Sequence, residues 1–388
     1  MKILFVNKLP PDFQGGAELR IKEIGKRLVE KGHKVYVLCG KNDINLPPEE
    51  GLFGMEIFNK KIVPDILLPF FNPSSKTLQA LFYLVSPFYI YSFVKKRKID
   101  IIRDSMSPFP AISFFCLLDK NVPKVVLLHE LFFNLKEWIK YYGILMGPFG
   151  YIAEKLLKRN FFNYKFIMTD GVWLTSHLAF YLKGKVLHIP NGVDFKKFVT
   201  KRNRILTKNG KIIFLNVGRF VKHKDHITLI NAFKLLTNKH QEVELHLVGD
   251  GPLFGEIKRK ITELDLERNV KLFGRVDGRF ICSYYRKSDI FVIPSLIEGM
   301  PNTLLEAMAS GIPIVSSRIP AITGVLNDTQ CIFFQAGDKI DLFRKMEYLL
   351  NNLELYPVLS KRIKKIAKER YDWDHVCNQE LYVYRNAL

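Results

Sequence analysis

Short apolar runs, each closed by glycine or by a polar cluster, recur along the chain at intervals that suit alternating strands and helices. KILFV (Lys2 to Val6) opens the series as a strand. A glycine-bearing loop follows, then a helical pattern from about Ala17 to Lys31 that Gly32 ends, then a second strand, HKVYVLC (His33 to Cys39). The same grammar restarts at KIIFLNVG (Lys211 to Gly218), continues through a loop and a helix around Thr228 to Thr237, and reaches VELHLVG (Val243 to Gly249). Strand, loop, helix and strand twice over predict two doubly wound α/β domains, each with a parallel sheet. Further strands are expected at IDIIR (Ile99 to Arg103), KVVLLH (Lys124 to His129) and KFIMT (Lys165 to Thr169) in the first domain. In the second they are VKLFG (Val270 to Gly274), DIFVIP (from Asp289) and PIVSS (Pro313 to Ser317). The first domain is read as residues 1–198 and the second as 199–371, with the change in the polar stretch Thr200 to Gly210; residues 372–388 are read as a terminal helix.

Within that pattern, EGMPNTLLE (Glu298 to Glu306) carries the most chemistry. Two carboxylates flank a turn of Gly299, Met300 and Pro301, then Asn302 as the expected N-cap, then an apolar helix stopped by Gly311 and Pro313. Helical side chains lean toward the N-terminus, so Glu306 should point to the end that Glu298 approaches from the preceding strand. Free N–H groups and the helix dipole make that end a seat for phosphate. Two anionic acceptors for hydroxyls beside a phosphate cradle suit a nucleotide-sugar. Taken alone, Glu306 would read as a solvated glutamate favoured by the dipole. Its place after an apolar strand, where open α/β sheets bind ligands, favours the functional reading.

Arg219 and Lys224 fall in the loop after the first strand of the second domain, where a guanidinium and an ammonium can meet the charge of a diphosphate leaving group. The competing reading is a basic surface loop, since Lys222, His223 and His226 crowd the same stretch. Gly15 and Gly16 lie between the first strand and the first helix, where glycine lets backbone N–H groups approach a ligand. They read equally as a plain turn, and no G-x-G-x-x-G is present. His129 ends a strand, with Glu130 beside it. Asp372 and Asp374 form a D-x-D pair at the start of the terminal helix, where one of them reads as a cap and not as a metal ligand.

Composition narrows the classes. The chain has 388 residues, enough for two cores, and 48% of them are hydrophobic, as in a folded protein. Its five cysteines are scattered without zinc spacing and read as buried thiols of a reducing compartment. The first residues lack the apolar run of a signal peptide, so a cytoplasmic location is expected. A net charge of +21 raises nucleic acid as a partner, but the excess is spread over both halves without an arginine-rich tract. Anionic donors and an anionic membrane surface fit it at least as well. Leu78 to Val94 is apolar and aromatic and runs into Lys95, Lys96, Arg97 and Lys98. Containing Pro87, Gln79 and two serines, it reads as a core helix, with an interfacial helix as the alternative. Aromatic residues from Trp138 to Tyr151 keep a peripheral site at the inner membrane face, and a lipid-linked acceptor, in view.

The segments GGAE (Gly15 to Glu18), HE (His129, Glu130), IPNGVD (Ile189 to Asp194), VGRFVKHK (Val217 to Lys224), VGDGP (Val248 to Pro252) and PSLIEGMPNTLLEAMASGIPIV (Pro294 to Val315) come in one order along almost the whole chain. The ordered set resembles retaining glycosyltransferases of family 4 with the GT-B fold, two Rossmann-like domains facing across a cleft. That resemblance implies an enzyme moving a sugar from a nucleotide-diphosphate sugar to a glycan, lipid-linked or small-molecule acceptor, with no cofactor and no essential metal. It further implies that Glu306 takes the ribose hydroxyls, Glu298 a sugar hydroxyl, Arg219 and Lys224 the pyrophosphate, His129 the donor sugar, and Gly274, Arg275 and Val276 the nucleobase. The terminal helix is expected to pack back on the first domain. Asp225 stands where the family usually has glycine. The competing functions are a nucleotide-sugar epimerase or phosphorylase on a related fold, and a silent glycan- or membrane-binding module.

Overall fold

The computed structural model describes residues 1–7, 16–41, 52–61, 76–106, 121–129, 148, 161, 163–182, 184–200 and 210–388. Gly15, Glu130 and most of the aromatic stretch 131–151 lie outside them. The chain divides into two units, Met1–Pro190 with Val376–Leu388, and Asn191–His375.

The first unit holds a seven-stranded sheet of β1 (Lys2–Asn7), β2 (Lys34–Lys41), β3 (Glu56–Lys61), β4 (Ile101–Met106), β5 (Lys124–Leu128), β6 (Phe166–Thr169) and β7 (Val186–His188). Their order is β3-β2-β1-β4-β5-β6-β7, and every neighbouring pair is parallel. Ile3 to Val6 and Val125 to Leu128 are wholly buried, as strands covered on both faces must be. Helix α1 (Gly16–Glu30) joins β1 to β2 and ends on Gly32 at φ 81°, a conformation that suits glycine. Helix α2 (Lys76–Arg97) leads from β3 to β4, and α3 (Val172–Tyr181) from β6 to β7.

The second unit repeats the plan with β8 (Ile212–Val217), β9 (Val243–Val248), β10 (Val270–Leu272), β11 (Ile290–Ile293), β12 (Ile314–Ser317) and β13 (Ile332–Phe334). Their order is β10-β9-β8-β11-β12-β13, again parallel throughout. Short helix α4 (Phe195–Phe198) precedes the sheet. The later helices are α5 (His226–Thr237), α6 (Phe254–Glu263), α7 (Ile281–Lys287), α8 (Asn302–Ser310), α9 (Pro320–Thr323), α10 (Lys339–Asn351), α11 (Leu355–Arg370) and α12 (Trp373–Ala387). Alternation along β8 feeds two cores: Leu215 packs with Phe291, Leu304 and Leu305, whereas Phe214 packs with Leu229, Phe233 and Leu245.

The expected strands are present to within a few residues, and two doubly wound parallel sheets are what the pattern predicts. Strands β3, β7 and β13 had no counterpart in the sequence reading. The change of unit comes at Asn191, ahead of Phe198. The segment after Pro190 is bound into the second unit: Val193 N donates to Tyr371 O at 2.7 Å, and Phe198 is buried in that unit's core. Gly192 lies so close to Trp373 that a Cβ there would sit 2.4 Å from the indole. Asp372 Oδ1 accepts from Asp374 N at 3.0 Å, so the D-x-D pair opens α12 as a cap.

The residues of α12 that return to the first unit carry its most buried charge. Glu380 accepts from Arg20 Nε at 2.8 Å, receives the Tyr384 hydroxyl, and faces Arg103 Nε at 3.6 Å, all three charged groups being fully buried. Arg20 also donates to the carbonyls of Ile189 and Pro190 at 3.0 and 2.9 Å. Burial alone would raise the Glu380 carboxyl, but the charges of Arg103 and Arg20 outweigh it and hold the group below its ordinary value of 4.5.

Because Arg20 and Arg103 would be left buried and uncompensated, Glu380→Ala should lower stability by about 3–5 kcal/mol in urea unfolding, and a loss under about 1 kcal/mol would contradict this account. A depressed carboxylate contributes stability that is present above its unfolded value and lost as pH falls through its folded one, so Glu380→Gln should also remove part of the acid sensitivity below 4.5.

Candidate active site

In the second sheet the chain leaves β8 toward β9 on one side and leaves β11 toward β12 on the other. The carboxyl ends of β8 and β11 therefore flank a crevice, the place where doubly wound sheets bind ligands. The loop after β8 is Gly218, Arg219 and Phe220, then a 3₁₀ turn over Lys222–Lys224. Asp225 adopts the left-handed conformation at φ 50° and caps α5, its Oδ1 accepting from Thr228 N at 3.4 Å. An aspartate tolerates this geometry, so the turn forms without the glycine the family usually has.

The loop after β11 crosses to meet it. Glu298 Oε1 lies 2.5 Å from Lys224 Nζ and accepts from Ser295 Oγ at 2.7 Å, while Leu296 N donates to His223 O at 2.8 Å. Only 8% of the Glu298 side chain and 21% of the Lys224 side chain remain exposed, so the pair is shielded enough for its attraction to count. Arg219, in contrast, is exposed. His226 belongs to the core and not to the basic surface: it is buried edge-on to Phe220, and burial lowers its pKa to about 4, which keeps it neutral.

Two glycines let the loops after β8 and β9 lie backbone to backbone. A Cβ on Gly249 would fall 1.8 Å from Gly218 O, and one on Gly251 would fall 2.5 Å from Phe220 O. Gly249 N donates to Gly274 O at 2.8 Å, which ties in the loop after β10. Gly274, Arg275 and Val276 thus stand on the same carboxyl edge. Next to them Phe273 packs edge-on against His246 and Tyr284.

Helix α8 departs from the sequence reading at its start. Pro301, with ψ 118°, stands at the cap position, and Asn302 is the first helical residue. Asn302 Oδ1 makes no bond to the first-turn N–H groups and is buried without a hydrogen-bond partner. The turn of Gly299, Met300 and Pro301 sets the entry instead: Met300 Sδ accepts from Asn191 N at 3.2 Å, and Pro301 O receives Leu304 N at 3.1 Å. Gly311 closes the helix at φ 73°.

Glu306 lies one turn inside α8. Its Oε2 accepts from the Tyr285 hydroxyl at 2.7 Å, and Tyr285, on α7, is fully buried with its ring edge-on to Phe198. Burial pushes the Glu306 carboxyl up to about 7, against the opposing pull of the Tyr285 hydrogen bond and Lys197.

His129 and Gly16 belong to the first unit. Gly16 is the exposed first residue of α1. His129 Nδ1 lies 2.6 Å from Asp170 Oδ2 at the ends of β5 and β6, and its buried Nε2 has no hydrogen-bond partner. Sequence reasoning missed Asp170, Ser295 and Tyr285. Asp170 and Ser295 each follow an apolar strand, a place that could have marked them. Nothing in the local pattern marks Tyr285, whose hydroxyl finds Glu306 only through packing.

Two family descriptions match in succession: Glycosyltransferase Family 4 over residues 14–197 and Glycosyl transferases group 1 over residues 198–370. A sulfoquinovosyl transferase of Arabidopsis thaliana is 26% identical over 95% of this chain and 70% of its own length. The GPI3 subunit of yeast phosphatidylinositol N-acetylglucosaminyltransferase is 25% identical over 96% and 80%. An uncharacterized glycosyltransferase of Methanocaldococcus jannaschii reaches 32%, but over 41% of this chain and only 40% of its own length. The fold is shared with sucrose-phosphate synthase of Thermosynechococcus elongatus (TM-score 0.80, 19% identity, 100% and 98% covered). It is shared also with Anabaena HepE solved with UDP and glucose (TM-score 0.70, 18% identity, all of both chains covered). With both halves matched in order and the same two parallel sheets, the chain belongs to the GT-B glycosyltransferases of the group 1 and family 4 type.

Proposed function

We propose that the protein transfers a sugar from a nucleotide-diphosphate donor with retention of configuration, the nucleotide lying along the carboxyl edge of the second sheet. The observation that carries this reading is the Lys224–Glu298 pair at the point of strand reversal, with exposed Arg219 in the same loop as Lys224. Arg219 and Lys224 meet the diphosphate charge, which grows on the leaving oxygen as the glycosidic bond breaks. Lysine has three donors, so Lys224 can keep Glu298 while serving a phosphate oxygen. Glu298, positioned by Ser295 and Lys224, accepts a donor-sugar hydroxyl. Glu306 accepts from the ribose hydroxyls, and the backbone of Gly274 to Val276 borders the base.

In the transfer, the bond from the anomeric carbon to the phosphate oxygen breaks, and its electron pair stays on the phosphate. An acceptor hydroxyl bonds the same face of that carbon and gives its proton to the leaving phosphate, so a nucleoside diphosphate and a glycosylated acceptor are formed. Because protein cations meet the charge, the reaction needs no divalent metal. HepE, of the same fold, was solved with UDP, which makes UDP the first nucleotide to test.

Arg219→Ala and Lys224→Ala should weaken UDP binding by about 1.5–3 kcal/mol each, with little change for uridine, in calorimetry. Equal losses for both ligands would remove the pair from phosphate recognition. Donor hydrolysis or transfer should persist in EDTA, and abolition with rescue by one divalent metal would contradict the charge assignment.

Glu306→Gln should weaken nucleoside binding by a similar 1.5–3 kcal/mol in a folded protein. A carboxyl at about 7 is neutral below that pH and a stronger hydroxyl acceptor above it, so wild-type uridine affinity should rise between pH 6 and 8 and the variant's should stay flat. The stability sign runs the other way. Between 4.5 and 7 the folded state binds the extra proton, so stability falls as pH rises through that window, and the variant should lose this fall.

Tyr285→Phe removes the hydrogen bond that lowers the Glu306 value, so the midpoint of the affinity profile should move to higher pH. An unmoved midpoint with only a lower melting temperature would make Tyr285 a packing residue.

A further inference from the structure

Two helices of the first unit turn aromatic side chains to solvent where polar ones would be expected. On α3, Leu174 and Leu178 face the core, yet Trp173, Phe180 and Tyr181 are 54%, 77% and 64% exposed. Trp173 stacks on His177 at 5.7 Å, and His177 meets Tyr181 at 5.5 Å, a ladder at the helical spacing of four. The sequence of α3, VWLTSHLAFY, holds no Asp, Glu, Lys or Arg. Its exposed side is thus mostly aromatic and uncharged, and a surface of that kind belongs against something apolar.

On α2, Ile90 and Val94 face the core, while Phe88 is 70% exposed and Tyr89 and Tyr91 stand exposed beside it. The exposed side continues into Lys95, Lys96 and Lys98, with the Lys95 ammonium 5.5 Å from the centre of the Tyr91 ring. No acidic residue occurs from Lys76 to Arg97. Arg97 is not part of this surface: it faces Glu56 at 3.6 Å and packs over the rings of Tyr36, Phe58 and Phe93.

The register of the sheet places both helices on one side of it. Paired residues of neighbouring strands point to the same face, and Leu4 pairs with Ile102, Val6 with Asp104, Asp104 with Val126, and Val126 with Ile167. Helix α2 packs on Leu4, Val6 and Ile102, and α3 packs on Val126, Leu128 and Ile167. One face of the unit therefore carries two aromatic helices and a row of lysines, with no carboxylate in either helix.

We propose that this face docks on an anionic lipid bilayer, with α2 and α3 lying in the headgroup plane. Trp173, Tyr181, Tyr89 and Tyr91 suit the boundary between headgroup and acyl chain, Phe88 and Phe180 reach below it, and Lys95, Lys96 and Lys98 meet the anionic headgroups. Among the described residues no helix is long and apolar enough to cross a membrane, so this attachment lies on the surface. A protein partner or a glycan could use the aromatic ladder, but neither accounts for the neighbouring lysines and the missing carboxylates as an anionic lipid surface does. The inference is independent of the sugar chemistry.

The test is sedimentation of the full chain with vesicles of phosphatidylcholine alone or with phosphatidylserine, at low and high salt. Wild type should pellet with the anionic vesicles, less at high salt. Changing Lys95, Lys96 and Lys98 to Ser should weaken this by about tenfold or more, and changing Trp173, Phe180 and Tyr181 to Ser should do the same. A charge-matched control, Lys258, Arg259 and Lys260 of the second unit changed to Ser, should bind as wild type does. Absence of binding, equal binding to neutral vesicles, or equal loss in the control would overturn the proposal. So would aromatic variants that bind vesicles normally, whether or not they lose self-association. To separate docking from misfolding, brominated acyl chains should quench the Trp173 part of the emission in folded Trp138→Phe protein, whose other tryptophan, Trp373, is buried; emission wholly unquenched in pelleted protein would place α3 away from the bilayer.

Discussion

The candidate site depends on one ion pair between two loops. Lys224 comes from the first strand of the second sheet and Glu298 from the fourth, and they meet at 2.5 Å over the place where the strand order reverses. The Leu296 to His223 backbone bond and the Ser295 hydroxyl complete the link. In the proposed transfer, the pair holds a cation beside the phosphate and a carboxylate beside the sugar, in a shielded place where their attraction counts. Such preorganisation is what a transfer reaction with no protein nucleophile needs, because its barrier is lowered mainly by charges that are in place before the bond breaks.

A second buried cluster does a different task. Glu380 sits among Arg20, Arg103 and Tyr384 and ties the chain's last residues into the first unit, while Arg20 holds the carbonyls of Ile189 and Pro190, the last residues before the chain changes unit. Replacing such a cluster with apolar residues could match its stability, but breaking one partner cannot. It gives specificity to the return of α12 because a mispacked helix would leave two buried guanidinium groups without a carboxylate.

Most of the fold was legible because it follows from local pattern. Apolar runs such as KIIFLNVG and DIFVIP are short, closed by glycine or proline, and separated by helical stretches, and this forces parallel strands joined by crossovers. What escaped had a weak signal. Strand β3, EIFNKK, has four polar residues out of six, and β7 and β13 have three residues each. In the site, the spacing of Glu298 and Glu306 and the position of Arg219 and Lys224 could be read directly. The partners could not. That Lys224 faces Glu298, that Tyr285 supports Glu306, and that Asp170 holds His129 are contacts between residues 74, 21 and 41 positions apart, which only the tertiary fold brings together. Asn302 misled for a simpler reason: asparagine is a favoured cap, but the extended Pro301 before it takes the cap position and moves the helix start by one residue. The run Lys95 to Lys98 also looked uniform, although Arg97 turns inward onto three aromatic rings.

The most direct test is a crystal structure of the full chain with UDP. The diphosphate should lie against Arg219 and Lys224 at the carboxyl ends of β8 and β11, with the ribose hydroxyls on Glu306 and the base along Gly274 to Val276. UDP bound with its diphosphate on the first unit, at the start of α1, or on the second unit away from Arg219 and Lys224, would contradict the account.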